Sequence, residues 1–163
     1  MSSPSIGRKP VRLYLPATGD TGHPVNAEIS LSTAQYRHLI TALRRGAGDL
    51  VEWFDGMGVV GAGRLVGSDR TGFAVQITTA ERVPVEAPGT CELILGIPRP
   101  DALDQALEGA VQAGVGRITL IPAHRTPWPI PAAKRPKLLE RWRQTVIDSA
   151  EQSGRITVPA VAL

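Results

Sequence analysis

Near the middle of the chain, Glu81–Thr90 (ERVPVEAPGT) holds two prolines and a glycine and separates stretches whose apolar residues repeat on different periods. Before it, short runs prevail. Val11–Leu15, Leu50–Phe54, Val59–Val66 and Phe73–Ala80 read as strands parted by Gly-rich and Ser/Asp-rich turns. One helix interrupts them: Ser32 and Gln35 have capping-box spacing, and Tyr36, Leu39, Ile40 and Leu43 are spaced for one apolar face. Short strands with a single helix suggest a small barrel. After the break the pattern changes. Cys91–Ile97 is a continuous apolar strand, and Asp101 is placed to cap a helix carrying Leu103, Ala106, Leu107, Ala110 and Val111 on one side. Gly114 ends that helix, and Arg117–Ile121 is the next strand. Pro136 suits the first turn of a helix reaching about Gln152 through Leu138, Leu139, Trp142 and Val146, and Ile156–Val161 is a last strand. The order β-α-β-α-β predicts a parallel sheet with covering helices. The expected division is residues 1–82, a linker at 83–90, and residues 91–163.

Within the first part, His38–Gly58 (HLITALRRGAGDLVEWFDGMG) compresses a helix end, a glycine turn and a strand into a few residues. Gly46 and Gly48 are placed to supply the backbone angles for leaving a helix and entering a strand. Val51 and Trp53 fall on one face of that strand, Glu52 and Phe54 on the other. Arg44 and Arg45 sit in what reads as the last helical turn, where cations suit the negative end of the macrodipole. His38 reads as structural, near the apolar face, and Asp55 as a turn residue bonding nearby backbone amides.

Composition narrows the class further. A hydrophobic share of 42% suffices for a core, and an aromatic share of 4% leaves aliphatic packing to dominate it. Eighteen Lys and Arg against fifteen Asp and Glu leave +3 without a basic tail, which admits a polyanionic partner but does not require one. The single cysteine, Cys91, excludes an internal disulfide and fits a reducing compartment. Lying in CELILGI, it reads as a buried strand residue rather than a nucleophile. The start MSSPSIGRKPVRLYL lacks the apolar core of a signal peptide, and no run approaches the ~20 apolar residues of a membrane span. A cytoplasmic protein without a membrane segment is expected. No Cys/His/Asp cluster offers a metal site.

Three motifs in order resemble one family. They are His38, Leu43-Arg44, Gly46–Gly48, Phe54-Asp55-Gly56 and Gly58; then GIPRPDALDQALEGAVQAGVGRITLIPAHRT from Gly96 to Thr126; then Arg141-Trp142 with Ser149–Arg155 and Val158-Pro159. The pattern is similar to that of the ribosomal RNA small-subunit methyltransferase E family, which methylates N3 of a uridine in 16S rRNA. The resemblance implies a PUA-like RNA-binding barrel for residues 1–82 and the first half of a SPOUT methyltransferase domain for residues 91–163. It further implies S-adenosylmethionine as methyl donor, 16S rRNA or the small ribosomal subunit as partner, and a homodimer. The family's cofactor loops, a GPEGG-type segment and a later LG-x-R-[IV]-L-R-x-E-T-A segment, have no counterpart here. The apolar end Val158–Leu163 also leaves an open sheet edge, so a fragment of a longer protein is expected, the alternative being that another chain covers the edge. Departures from the family are Gly109 and Gln112, where a Lys and a Glu are common, and Ala123-His124-Arg125 in place of Ser-Glu-Arg.

Candidate RNA contacts are Arg44, Arg45, Lys134, Arg135 and Arg141. Arginine's planar fork matches phosphate, and a glycine turn allows close approach. The plainer reading of the first two is helix capping with pairing to Asp49 or Asp55. Lys134, Arg135, Lys137 and Arg141 crowd the positive end of their helix, with Asp148 and Glu151 near its negative end. Each adverse placement costs about 0.3–1 kcal/mol at low salt, a cost that a phosphate backbone would offset, although a solvated face explains the run equally well. A second candidate site gathers Arg99, Arg125, Glu151, Gln152 and Arg155, by analogy with ligands that collect at the carboxyl ends of strands. No general base is singled out, and no cofactor-binding residue is expected within these residues. A non-catalytic RNA-binding module, truncated or decayed from the same family, is the competing class.

Overall fold

The computed structural model describes residues 9–17, 22–68, 72–85, 91–123 and 130–163. They form two compact units, one ending at Pro84 and the other beginning at Val85.

The first unit contains β1 (Val11–Tyr14), β2 (Glu28–Ser30), a short α1 (Thr33–Tyr36), β3 (Leu50–Phe54), β4 (Val59–Ser68) and β5 (Gly72–Arg82). Its mixed sheet has the order β1-β3-β4-β5-β2, with β1 parallel to β3 and the other pairs antiparallel. Leu13, Val51, Trp53, Val59, Leu65, Val75 and Ile77 turn inward and close over Leu39 and Leu15, leaving each of them at most 3% exposed. Alternation along the strands builds this core. Two glycines fit it: a side chain on Gly61 would strike Thr79 O and the Trp53 indole, and one on Gly63 would strike Val75 and Gln76 O. β2 carried no sequence signal. β5 runs through Glu81 and Arg82, beyond the expected end at Ala80.

The capping box forms as expected: Gln35 N donates to Ser32 Oγ at 3.2 Å and Ser32 N to Gln35 Oε1 at 3.0 Å. The expected helix through Leu43 does not. After one α-helical turn the chain widens into a π-helical segment, Arg37–Ala42, closed by Leu43 N donating to His38 O five residues back at 3.0 Å. The wider turn breaks the 3.6-residue register. Leu39 stays buried, Leu43 rotates out to 39% exposure, and His38 is exposed rather than part of the apolar face.

The second unit contains β6 (Glu92–Gly96), α2 (Pro100–Gln112), β7 (Arg117–Ile121), a single 3-10 turn (Ala132–Lys134), α3 (Arg135–Ser153) and β8 (Ala160–Ala162). The strands lie in the order β6-β7-β8, all parallel. Leu103, Leu107, Ala110 and Val111 of α2 and Trp142, Val146 and Ala150 of α3 are buried with Ile118, Leu120 and Val161 of the sheet. The helices also meet each other: Ser149 Oγ donates to Glu108 O at 3.4 Å, and Arg141 pairs with Asp104 at 2.6 Å. Both therefore cover one face. The alternate residues of the strands are open, with Ile94 63% and Ile121 44% exposed.

The ends of these elements differ from expectation. Cys91 is exposed and lies just before β6, its carbonyl accepting from Gly116 N at 3.0 Å. The continuous apolar run does not make a strand buried on both faces. Arg99, not Asp101, is the N-cap of α2, because Pro100 takes the first helical position; Asp101 stays in the first turn, where its charge suits the dipole. β8 also starts later than expected, at Ala160, after Pro159, which has no N–H for a ladder.

Candidate functional site

The helix-to-strand turn of the first unit carries the adjacent pair Arg44 and Arg45. Leu43 ends the helical segment and Arg44 follows with φ 51°, in the left-handed region. Arg44 and Arg45 thus lie beyond the helix rather than in its last turn. Of the two glycines expected to supply unusual angles only Gly48 does so, with φ 91°; the other left-handed position is Arg44 itself. The turn is fastened to β4 by Gly48 N donating to Leu65 O at 2.7 Å and Leu65 N to Asp49 O at 2.9 Å. Asp49 does not pair with Arg45: its Oδ2 accepts from Gly46 N at 3.1 Å. Arg45 Nη2 instead donates to Lys9 O at 2.7 Å.

A third arginine reaches this turn from a distant point of the sequence. Arg64 on β4 donates through Nη1 to Gly48 O at 3.0 Å. Its strand neighbour across the ladder is Leu50, which is 48% exposed. No sequence signal marks Arg64, since only the β3–β4 register brings it to the turn.

At the other end of β3, the buried Asp55 holds a tight loop together. Its Oδ1 accepts from Met57 N at 2.6 Å and Val59 N at 2.9 Å, and Gly56 and Gly58 both have positive φ. Asp55 is therefore a turn residue, as its neighbours in sequence indicate. Beside it the Arg12 guanidinium stacks 4.5 Å above the Phe54 ring. Burial, and secondarily the charge of Asp55, push the Tyr14 phenol up from its ordinary value.

In the second unit the expected site residues have separate duties. Lys134, Arg135 and Lys137 are exposed around the start of α3. Arg141 is committed to Asp104 in the α2–α3 pair. Arg155 is a clasp: Nη1 donates to Val111 O at 3.0 Å and Val115 O at 2.8 Å, and Nη2 to Thr157 Oγ1 at 3.0 Å. A cation here serves carbonyls at the end of α2. Desolvation lowers the Arg155 pKa. Gly154, with φ 80°, ends α3. Glu151 is half-buried on the last turn of α3, and Gln152 is exposed. Arg99 is the exposed cap of α2, while Arg125 lies outside the described residues. Among the described residues no His/Cys/Asp/Glu cluster suits a metal ion, and no helix is long and apolar enough to cross a membrane.

Residues 85–163 match the family model of the RNA methyltransferase domain. That match covers the second unit from end to end. The chain as a whole is similar to the ribosomal RNA small subunit methyltransferase E of a Synechocystis species, with 28% identity over 138 residues, 85% of this chain and 44% of that protein. It also resembles the crystal structure of a methyltransferase E from Neisseria gonorrhoeae bound to S-adenosylmethionine. There the identity is 31% and the TM-score 0.76, over 95% of this chain and 61% of the other. A Legionella pneumophila protein solved with the same cofactor shares the fold at TM-score 0.84 and 21% identity, over 94% of this chain and 62% of its own. The chain thus spans less than two thirds of the relatives it matches.

Proposed function

We propose that these residues belong to a longer enzyme that transfers a methyl group from S-adenosylmethionine to N3 of a uridine in 16S rRNA. The observation that carries this reading is the match of both units, over 95% of the chain, to a methyltransferase E solved with that cofactor. In this reading the mixed sheet of the first unit is a PUA-like barrel that grips the RNA backbone. The three parallel strands open a SPOUT domain, and the enzyme works as a cytoplasmic homodimer.

In this reading the cofactor pocket needs further segments beside the described residues. The only buried side-chain oxygen or nitrogen left without a partner among them is Asp104 Oδ1, whose sister atom is held by Arg141. The open sheet face carries Ile94 and Ile121 beside Thr119, whose Oγ1 donates to Glu92 Oε1 at 2.6 Å. Further chain, of the kind the longer relatives carry, would cover that face and complete the pocket. The residues present would then bind and orient RNA: Arg44 and Arg45 at the turn, and Lys134 and Arg135 at the start of α3.

Disrupting the gene and measuring nucleosides of 16S rRNA by mass spectrometry tests the function. Loss of N3-methyluridine is expected, and its persistence at full level refutes the assignment. Calorimetry with S-adenosylmethionine tests the missing pocket: no measurable binding by the 163 residues is expected, and tight binding would overturn it. A second reading, a non-catalytic RNA-binding module, draws on Gly109, Gln112 and His124, which stand where the family commonly has charged residues. Reading frame beyond Leu163 that encodes a GPEGG-like loop would exclude it.

A further inference from the structure

We infer that Arg64 and Arg45 form a phosphate clamp across the Gly46–Gly48 turn, and that an RNA backbone passes directly over Gly46. The inference rests on the RNA-binding reading of the first unit and adds a residue and a contact point to it.

Both guanidinium groups are anchored without being neutralised. Arg45 is held by Lys9 O and Arg64 by Gly48 O, each through one nitrogen on an uncharged backbone carbonyl. A guanidinium has five N–H donors, so each anchor fixes direction while leaving most of the fork for another acceptor. The ion pairs found among the described residues, Arg141–Asp104 and Arg143–Glu140, involve neither group. Asp49, the acid of this turn, turns its Oδ2 to Gly46 N.

Gly46 supplies an independent observation. Its backbone lies outside the left-handed region, and a Cβ built on it would meet nothing within 4 Å. Neither conformation nor internal packing therefore asks for glycine. Gly48 differs, needing φ 91°, as does Gly61, which makes room for an indole. A glycine without an internal reason, next in sequence to Arg45 and two residues from the carbonyl that holds Arg64, leaves the backbone open to a partner from outside. The exposed Leu43 and Leu50 give that partner an apolar shoulder suited to sugar and base faces. Phosphodiester linked to such faces is nucleic acid, and with this enzyme class it is RNA.

The test is filter binding of unmodified 16S rRNA transcript over a salt series, with thermal melting of each variant. Arg64→Ala should weaken binding by about tenfold and reduce the salt slope by about one, with Arg64→Lys restoring the slope but not all the affinity. Gly46→Leu should bind at least ~5-fold more weakly, with an unchanged salt slope and an unchanged melting temperature, because only steric access is lost. Wild-type affinity and slope in both Arg64→Ala and Gly46→Leu would overturn the clamp. So would a loss of affinity matched by a loss of fold. If the wild-type chain retains no RNA at all, the binding reading fails and the clamp with it. If Arg44→Ala weakens binding while Arg64→Ala and Gly46→Leu do not, only the clamp fails.

Discussion

Arg44 holds a backbone conformation, φ 51°, that its side chain disfavours. A non-glycine residue in the left-handed region carries roughly 1–2 kcal/mol of strain, because Cβ crowds the following carbonyl. Glycine removes the clash but lengthens the list of unfolded conformations, at a cost of about 0.5–1 kcal/mol. Arg44→Gly should therefore be neutral or stabilising by up to ~1 kcal/mol, whereas Arg44→Ala keeps the strain and gains nothing in return. The comparison that matters is Gly against Ala: at an exposed helical position alanine is favoured, and here glycine should lead by about 1 kcal/mol, a few degrees in melting temperature. Urea denaturation of the three proteins measures it. Both variants lose the guanidinium, so both should bind 16S rRNA transcript more weakly and with a shallower salt dependence. An alanine variant as stable as the glycine variant would refute the strain argument. Unchanged RNA affinity in both would remove Arg44 from the RNA surface and leave its conformation without a functional reason.

Other substitutions probe the rest of the structure. Arg155→Met should destabilise the chain by about 1–3 kcal/mol in urea denaturation, since Val111 O and Val115 O lose a charged donor; a neutral effect would mean that water replaces the clasp. Gly109→Ala should stabilise by about 1 kcal/mol, because the residue lies in the interior of α2 with open space beside it; a loss would mean that glycine there serves a contact made outside this chain. The raised Tyr14 phenol adds an alkaline limit. A group whose folded pKa lies above its unfolded value contributes fully below about pH 10. That contribution is lost as pH rises through the folded pKa, so melting temperature should fall from about pH 10 upward. Tyr14→Phe should flatten that fall, and an identical profile would sink the argument.

Local interactions were legible in the chain. The Ser32–Gln35 box needs only two residues a turn apart, and Gly114 and Gly154 take positive φ at helix ends where their spacing placed them. Strand β7 has the bounds its apolar run implied. What escaped detection depends on partners remote in sequence. An α-helical turn and a π-helical one draw on the same residues, and the choice follows from Leu39 seating in the core while Gln35 Nε2 reaches Tyr14 O at 2.9 Å. An apolar run such as CELILGI records that a strand is present but not where its ladder begins, so Cys91, one residue before β6, was misplaced. Arg155 looked like part of a site because it lies where α3 gives way to a strand, yet the carbonyls it serves stand at Val111 and Val115. Arg64 is the converse case. It falls in a strand with no motif around it, and a shift of one residue in the β3–β4 ladder would turn it to the other face, away from Gly48. A motif can show where a chain turns, but which charges meet at the turn is decided by strand register, and here register adds a third arginine to the two adjacent in sequence.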